Sequence, residues 1–479
     1  MRDNGFEESF SDGAAEQAES AVRDAQNGER TSVVDAAVRD LRHLLWSSID
    51  NRDSMDLDQI EVAEQLSDGV IRVMVGVSDV DSHVPRNSPI DLHALHNKCS
   101  VYTGVCIYPM LPEPLSTDLT SLKQDADRMA VVIAMDIAPD GEVISSDIFR
   151  AVTRNYAKLA YDPVGDWLDG AAPIPPAAAA VPGMEKQIRL QCEASDRLHE
   201  QRLRAGSLDF ETIEAQPVMQ NGSVVELRVL RKNRATAIIE NFMVSANSTM
   251  AAYLEQRGVP AIQRVVRAPE RWQRIVELAS RINELLPPEP DPVALSQFLA
   301  RRRQADPTHF PDLSLAVVKL LGPGEYEVVL SRQDHAGHFG LAVQSYTHST
   351  APNRRFADIV IQRLIKAVFS EETPPYSVEE LQEIATGCTE RENAARKVER
   401  LMRKSAAALM MHSRVGQEFE GIVTGASPKG TYIRLLTPPV EGRVTANERG
   451  LDVGDRARVR LVHTDPEHGF IDFECLFER

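Results

Sequence analysis

The segment SSIDNRDSMDLDQIEV (47–62) concentrates acidic side chains, with Asp50, Asp53, Asp56 and Asp58 lying within nine residues. Carboxylates at such short range repel one another unless a cation neutralises them. A hard divalent cation such as Mg²⁺ prefers oxygen ligands, and a metal held by two or three carboxylates can bind a phosphate oxygen and activate water. The residues alone leave two interpretations open: a metal site for phosphodiester hydrolysis, or a solvated acidic turn.

Regular secondary structure is predicted on the C-terminal side of this acidic segment. IRVMVGVSDV (71–80) and MAVVIAMDIAP (129–139) are β-branched runs that end in turn residues, and APDGEV (138–143) has the Asp-Gly centre of a hairpin turn. Residues from about 50 to 170 are therefore predicted to be rich in sheet. Four later amphipathic stretches are predicted as helices, KQIRLQCEASDRLHEQRLRAG (186–206), ATAIIENFMVSANSTMAAYLEQRG (235–258), ALSQFLARRR (294–303) and ADIVIQRLIKAVF (357–369).

The N-terminal region and one internal segment differ in composition from the rest. Residues 1–30 are rich in Glu, Asp, Ser, Ala and Gly, which predicts a mobile acidic tail. VVDAAVRDLRHLLW (33–46) is predicted as a short amphipathic helix. Its apolar residues near helical spacing are Val34, Ala37, Leu41, Leu44 and Leu45. GAAPIPPAAAAVPG (170–183) is predicted as a Pro/Ala-rich connection without regular helix or central strand.

The C-terminal residues, 414–475, have the composition of a small all-β domain. About five short strands with Gly-rich turns occupy this length, and an OB-fold barrel fits better than a sandwich. Its basic residues include Lys429, Arg434, Arg443, Arg456, Arg458 and Arg460.

Length, charge and cysteine content narrow the class of protein. The chain has 479 residues, enough for about three domains. Its net charge is −18, so any nucleic-acid site must be a local basic groove or an acidic metal site, because phosphate repels such a chain at long range. No apolar run approaches a membrane span and the N-terminus lacks a secretory pattern. Five scattered cysteines favour reduced thiols, so a cytoplasmic location is expected.

Two further segments carry residues suited to binding RNA. In HFGLAVQSYTHSTAPNRRFADIVIQRLIKAV (338–368), Arg354 and Arg355 open a predicted helix, which suits either a phosphate clamp or an ordinary helix start. In KCSVYTGVCIYPMLPEPLSTDLTSL (98–122), Tyr102 could stack on bases or simply pack. Each alternative stays open for the segment taken alone.

Taken together and in this order, these segments resemble the catalytic domain of the ribonuclease II / ribonuclease R (RNB) family. VGVSDVDSHV (75–84), KLAYDPVGDWL (158–168) and IIENFM (238–243) add to the likeness, which covers about 46–410. Residues 414–475 resemble the S1-type OB domain that follows in this family. The resemblance implies an α/β (α+β) fold, with a mixed sheet and helices around a narrow channel and the metal site at its blind end.

The implied activity is processive 3′→5′ hydrolysis of single-stranded RNA to nucleoside 5′-monophosphates, with Mg²⁺, or Mn²⁺, as cofactor. Asp50, Asp56 and Asp58 fall on the family's acidic positions, and Asp58 matches the carboxylate most closely tied to catalysis. Gln59 falls on a fourth metal position that is acidic in the family. Arg354 matches the arginine that contacts the scissile phosphate.

The resemblance also implies a set of RNA contacts. Tyr102 and Phe210 fall on the aromatic clamp around the terminal nucleotide, and Tyr161 and Glu240 fall on positions that contact the sugar. Two more residues are expected to bind RNA, Arg355 and Tyr432. Single-stranded RNA is the expected partner, with no membrane and no obligate protein partner.

Two departures from the family pattern leave alternatives open. Gln59 brings no charge to the metal site, so the metal dependence could change or the protein could be a non-catalytic RNA-binding protein of the same fold. The roughly 45 residues before the acidic segment are too few for the paired cold-shock domains usual in the family, so a weaker grip on long RNA is expected. A DNA nuclease or an unrelated phosphodiesterase is the third hypothesis.

Overall fold

The computed structural model describes residues 1–27, 38–211, 214–220, 223–230, 232–330, 337–427, 430–448, 450–451 and 455–476. Strands dominate its first 160 residues: β1 (Arg39–Asp40), β2 (Trp46–Asp50), β3 (Gln59–Gln65), β4 (Ile71–Ser78), β5 (Val101–Tyr102), β6 (Ile107–Tyr108), β7 (Asp127–Ile137) and β8 (Val143–Ala160). The predicted Asp-Gly hairpin connects β7 to β8, where the Gly141 N–H donates to the Ala138 carbonyl at 2.9 Å. The sheet-rich first half of the chain is therefore as predicted.

The main sheet is mixed, in the order β1-β8-β2-β3-β4-β7. The long strand β8 pairs antiparallel with β7 and parallel with β2. Since β2 and β7 are the outer strands of the order β2-β3-β4-β7, β8 is hydrogen-bonded to both of its edges. Side chains alternate across β3: Ile60 and Val62 enter one apolar core with Trp46, whereas Ala63 enters the larger core with Ile49. Both faces of the sheet are therefore buried.

Helices cover the larger of these two cores and build a second layer beyond it. They are α1 (Asp12–Gln26), α2 (Pro89–Asn97), α3 (Tyr161–Leu168), α4 (Pro176–Ala179), α5 (Met184–Arg204), α6 (Arg234–Gln256), α7 (Trp272–Arg281), α8 (Pro292–Ala305), α9 (Phe310–Leu321), α10 (Phe356–Phe369) and α11 (Val378–Met411). The four helices predicted from amphipathic stretches correspond to α5, α6, α8 and α10. Helix α10 is buried on nearly every side, which is typical of a central core helix.

Short two-stranded ladders and a barrel complete the architecture. The ladders pair β9 (Glu214–Gln220) with β10 (Ser223–Leu230), and β11 (Ala261–Val265) with β12 (Glu325–Val329). The barrel consists of β13 (Glu418–Ser427), β14 (Gly430–Leu435), β15 (Glu441–Ala446), β16 (Arg456–Asp465) and β17 (Phe470–Leu476). It closes in the order β13-β14-β15-β17-β16, so the predicted five-stranded barrel is confirmed.

The structure corrects three predictions about the N-terminal half. The proposed mobile tail contains α1, which starts at the N-cap Ser11 and buries Ala14, Ala18 and Ala21 in the main core. Within 38–46 the predicted amphipathic helix is absent, because Arg39 and Asp40 pair with β8 and Trp46 begins β2. The rest of that helix, with Val34 and Ala37, lies outside the described residues. The Pro/Ala connection contains one helical turn, α4.

Among the helices in the described parts of the chain, none combines the length and the apolar content that a bilayer requires.

Candidate active site

The acidic segment lies at the adjoining ends of β2 and β3. Asp50 is the last residue of β2, and the chain then turns before Gln59 begins β3. The Ser121 hydroxyl fixes this turn, since it accepts from the Leu57 N–H at 3.0 Å and donates to the Met55 carbonyl at 2.7 Å. The Ser78 N–H also donates to the Asp58 carbonyl at 2.9 Å. The turn is thus held by β4 and by the 120–122 segment.

Asp58 is buried, with 4% of its surface exposed. One carboxylate oxygen accepts the Asn353 N–H at 2.9 Å, and the other lies 3.7 Å from Nε of Arg354, whose side chain is 47% exposed. Burial raises the pKa of Asp58 to about 7, although Arg354 and the Asn353 N–H lower it. The surroundings of Asp58 therefore offset only part of the cost of ionising it.

Asp56 is joined to the predicted aromatic residue of the 98–122 segment. The Tyr102 hydroxyl donates to Oδ2 of Asp56 at 3.2 Å, and the Tyr102 N–H donates to Glu399 on α11 at 3.0 Å. Burial raises the pKa of Tyr102, and the charge on Asp56 adds to that rise. The hydroxyl is therefore a stable donor to the aspartate at neutral pH.

Asp50 meets Tyr161 through the strand register. Asp50 pairs with Ala160 at the end of β8, and Tyr161 is the next residue and the first of α3. Burial raises the pKa of Asp50, Asp56 adds to the rise, and Arg354 opposes it. Burial also raises the pKa of Tyr161, and the negative charges of Asp50 and Glu61 raise it further. These groups thus share one electrostatic environment.

Glu61, two residues beyond Gln59 on β3, is a buried carboxylate that sequence reasoning missed. Neither of its side-chain oxygens has a hydrogen-bond partner among the described residues, and burial raises its pKa well above the ordinary value, with Asp50 contributing. Gln59 itself is half-buried and pairs with Val77 of β4. The alternation of β3 was the available signal, because it predicts that Gln59 and Glu61 share a face.

The acidic segment predicts a hard divalent cation at this site. In the described part of the chain, no three His, Cys, Asp or Glu side chains are grouped closely enough to form a coordination shell. The carboxylates nevertheless fit a hard cation, because Asp50 and Asp58 have raised pKa values and the buried oxygens of Glu61 are without partners. The fit rests on this uncompensated negative charge.

Arg355 and His348 face the interior. Arg355 donates to Asp358 at 2.8 Å, and that carboxylate also accepts the Ala351 N–H at 2.7 Å, which fixes the turn carrying Arg354. His348 contacts the Tyr326 hydroxyl at 2.6 Å, and burial lowers its pKa. Arg355 thus stabilises the turn through Asp358, while its neighbour Arg354 lies beside Asp58.

Three predicted RNA contacts have other neighbours than the aspartates. Phe210 packs against the apolar cluster of α7, α8 and α9. Glu240 is exposed on α6, where it accepts from Lys232 at 2.7 Å. Tyr432 is exposed on β14 opposite Arg443. Across the described residues, no hydrogen bond or ion pair joins these three to Asp50, Asp56 or Asp58, and Lys429 of the barrel lies outside the described residues.

Comparison with known proteins identifies both domains. The RNB domain profile matches residues 38–371, and the profile of the RNase II-type exonuclease C-terminal S1 domain matches residues 417–476. Ribonuclease R 1 of Lactococcus lactis is 29% identical over 470 residues, which cover 91% of this chain and 56% of the relative. The chain therefore spans little more than half the length of this curated relative.

Solved structures confirm the fold class predicted from the sequence. Mycoplasma genitalium RNase R in complex with ribose methylated single-stranded RNA superposes with a TM-score of 0.88 at 22% identity, over 99% of this chain and 77% of that chain. Yeast Ssd1, a pseudonuclease, gives a TM-score of 0.70 at 16% identity, over 89% and 52% of the two chains. Because one relative in fold is a pseudonuclease, fold alone does not decide whether the site is catalytic.

Proposed function

Because the chain belongs to the RNB-domain family, we propose that it is a metal-dependent exoribonuclease that hydrolyses single-stranded RNA from the 3′ end to nucleoside 5′-monophosphates. The observation that carries this proposal is the meeting of Asp50, Asp56, Asp58 and Arg354, since Arg354 and Asp58 are far apart in sequence and 3.7 Å apart in space. Carboxylates beside an exposed guanidinium suit a phosphate substrate with a bound cation. We also propose the domain division at 46–410 and 414–475.

Asp50, Asp56 and Asp58, with the side-chain carbonyl of Gln59, would hold Mg²⁺ or Mn²⁺. The bound cation supplies a Lewis acid for the phosphate and lowers the pKa of a water molecule. The Asn353 N–H keeps Asp58 in place, and the Tyr102 hydroxyl keeps Asp56 in place. The half-exposed Arg354 is free to approach substrate and to stabilise charge that develops on the phosphate oxygens.

RNA would be bound mainly by features that ignore base identity. The rings of Tyr102 and Phe210 would stack on bases, which contributes about 1–3 kcal/mol per base for any sequence. Tyr161 and Glu240 would contact the ribose, whose 2′-hydroxyl distinguishes RNA from DNA. Tyr432 of the barrel and Arg355 complete the proposed set. The channel that would admit a single strand is part of this proposal.

The decisive experiment follows 5′-labelled single-stranded RNA incubated with purified protein and Mg²⁺ or Mn²⁺. We expect a ladder that shortens from the 3′ end and is abolished by Asp58→Asn, while Asp53→Asn, at an exposed position of the same turn, keeps wild-type activity. RNA that stays intact across titrations of both metals would refute the proposal. Equal cleavage of an all-deoxy strand would favour the DNA nuclease instead.

A non-catalytic RNA-binding protein is the second candidate function. Gln59 favours it, because an uncharged residue at this position weakens the electrostatic attraction for a divalent cation. This candidate predicts salt-dependent RNA binding with no product in either metal. The variant Gln59→Asp separates the two: activity that appears only in the variant supports the binding protein, and activity in the wild type excludes it.

A further inference from the structure

Two neighbouring hydroxyl side chains, Thr120 and Ser121, contact the two turns that form the candidate active site. Both are buried, with 2% and 0% of their surface exposed. The Ser121 hydroxyl accepts from the Leu57 N–H and donates to the Met55 carbonyl, so it fixes the turn that leads to Asp58. The proposed function assigns no role to either hydroxyl.

The Thr120 hydroxyl holds the second turn of the site. It donates to the side-chain oxygen of Asn353 at 2.6 Å, and it also lies 2.8 Å from the Leu115 carbonyl, which limits its rotation. Asn353 is 1% exposed, its backbone N–H donates to Asp58 at 2.9 Å, and Arg354 is the next residue. Thr120 therefore helps to set where the turn that carries Arg354 lies relative to Asp58.

Asn353 is an unfavourable residue for this interior position. Its side-chain amide nitrogen is buried and has no hydrogen-bond partner among the described residues. A buried donor left unpaired reduces stability, and an apolar pair of similar shape at positions 120 and 353 would avoid that loss. Stability alone therefore does not account for the hydrogen bond between Thr120 and Asn353, and a role in arranging the site is favoured.

The two hydroxyls together restrict the separation between a carboxylate and a guanidinium. Oδ2 of Asp58 lies 3.7 Å from Nε of Arg354. Because Thr120 and Ser121 are joined by one planar peptide bond, the two turns cannot shift independently while both sets of hydrogen bonds persist. A guanidinium stabilises a reacting phosphate only where charge develops, and a misplacement of about 1 Å can slow an enzyme about 100-fold.

We propose that Thr120 and Ser121 are positioning residues of the proposed nuclease. Ser121 holds the turn of Asp58, and Thr120 holds the turn of Arg354 through Asn353. Together they keep the carboxylate and the guanidinium at the separation that hydrolysis of a phosphodiester requires. This inference rests on the proposed function, and it explains how a half-exposed arginine is kept beside a buried aspartate.

The test measures kcat and KM for a 5′-labelled single-stranded oligouridylate with Mg²⁺. Thr120→Val removes the hydroxyl at nearly constant shape, and we expect kcat to fall about tenfold or more while KM stays within about twofold, because the aromatic contacts with RNA are untouched. Thr120→Ser keeps the hydroxyl and should keep the wild-type kcat. The matched control Thr117→Val, whose hydroxyl donates to the Glu113 carbonyl at 2.8 Å, should also behave as the wild type does.

A double-mutant cycle tests the route through Asn353. Asn353→Leu should lower kcat as Thr120→Val does, and the double variant should lose no more than either single variant, because both substitutions break the same hydrogen bond. Losses that add in the double variant would show that the two residues act separately and would overturn this route. Ser121→Ala, which releases the other turn, should also lower kcat.

Melting temperatures and cleavage by the wild type distinguish the failures. If Thr120→Val melts far below the wild type, Asn353→Leu takes its place in the comparison, because that substitution removes the buried amide that lacks a partner. A variant that melts as the wild type does and keeps its kcat would overturn the inference, as would a loss of kcat that Thr120→Ser shares. Either result leaves the proposed function standing, whereas a wild type that cleaves no RNA in Mg²⁺ or Mn²⁺ overturns both.

Discussion

At the scale of single residues, burial sets the chemistry of the aspartates more than their spacing does. Asp58 is almost inaccessible, whereas the cation that faces it, Arg354, is half-exposed and well hydrated. Water screens the guanidinium more than the carboxylate, so the attraction does not fully offset the cost of burial. In the metal-free protein the protonated form of Asp58 should therefore predominate only below about pH 7.

This asymmetry predicts a pH-dependent cost to stability. In the unfolded chain Asp58 ionises near its ordinary value of 3.8, but in the folded protein its pKa is about 7. Between these values the folded state binds the extra proton, so the free energy of unfolding falls as the pH rises towards 7 and then levels off. In chelator, we expect the stability advantage of Asp58→Asn over wild type to grow by about 2 kcal/mol from about pH 5.5 to about pH 8.

Urea denaturation in EDTA at the two pH values measures this difference. Asp53→Asn is the matched control, since Asp53 is exposed in the same turn and its substitution should change stability equally at both pH values. A gap between Asp58→Asn and wild type that does not change with pH would contradict the assignment of the shifted pKa to Asp58.

The sequence predicted which residues belong to the site better than it predicted their surroundings. Asp50, Asp56, Asp58, Tyr102, Tyr161 and Arg354 do come together. Their assignment depended on the likeness of several motifs, since an acidic cluster alone is equally typical of a solvated turn. Strand alternation gave a signal for Glu61, but the unpartnered oxygens of Ser47 and Gln191 could not be predicted, because these residues become its neighbours only when β2, β3 and α5 pack together.

At the scale of elements, local periodicity predicted the strands and long helices but failed near the N-terminus. The apolar spacing in 38–46 resembles a helix, yet these residues pair with β8, and no local pattern encodes a partner more than a hundred residues away. Helix α1 is not predicted, because its buried face gives only a weak local signal. Alanine contributes little apolar area, so a face of Ala14, Ala18 and Ala21 gives a weak signal although it allows close packing on α2.

The packing of α1 makes a testable prediction about that face. Ala18→Asp places a charge in the buried contact, which we expect to detach α1 and expose its amides to exchange, because an unpaired buried charge costs several kcal/mol. Ala15→Asp, on the exposed side of the same helix, should leave exchange unchanged. Hydrogen exchange with mass spectrometry measures both variants. Equal protection of α1 in both variants would show that the helix does not depend on this contact.

At the scale of the whole molecule, α11 joins the candidate active site to the barrel. Its 34 residues span about 51 Å. Glu399 accepts from the backbone of Tyr102 at the site, and Ala408 and Met411 enter the apolar core of the barrel. Arg434 of β14 forms a second connection, an ion pair with Asp312 of α9 at 2.6 Å. These two connections thus hold the barrel against the main α/β body.

A barrel held in this way should contribute to the binding of RNA only when the strand is long enough to extend from the candidate active site to the barrel. Tyr432 is exposed on β14 beside Arg443, a pairing that suits a base stacked over a backbone phosphate. We expect Tyr432→Ala to weaken binding of a long single strand by roughly tenfold, the loss of one stacked base. A strand of about five nucleotides, shorter than the path from site to barrel, should bind unchanged. Because basic side chains such as Arg443 would pair with backbone phosphates, this affinity should also fall as the salt concentration rises.

Fluorescence anisotropy in the Asp58→Asn background, where RNA should not be degraded, measures binding of both lengths. Phe470→Ala is the matched control, because Phe470 is a more exposed aromatic residue of the same barrel and stacks on His468. If Tyr432→Ala weakens the short and long strands equally, the effect comes from the active site, and the barrel does not bind RNA through this residue. If Phe470→Ala weakens binding of the long strand as much, the effect is not specific to the face of the barrel that carries Tyr432.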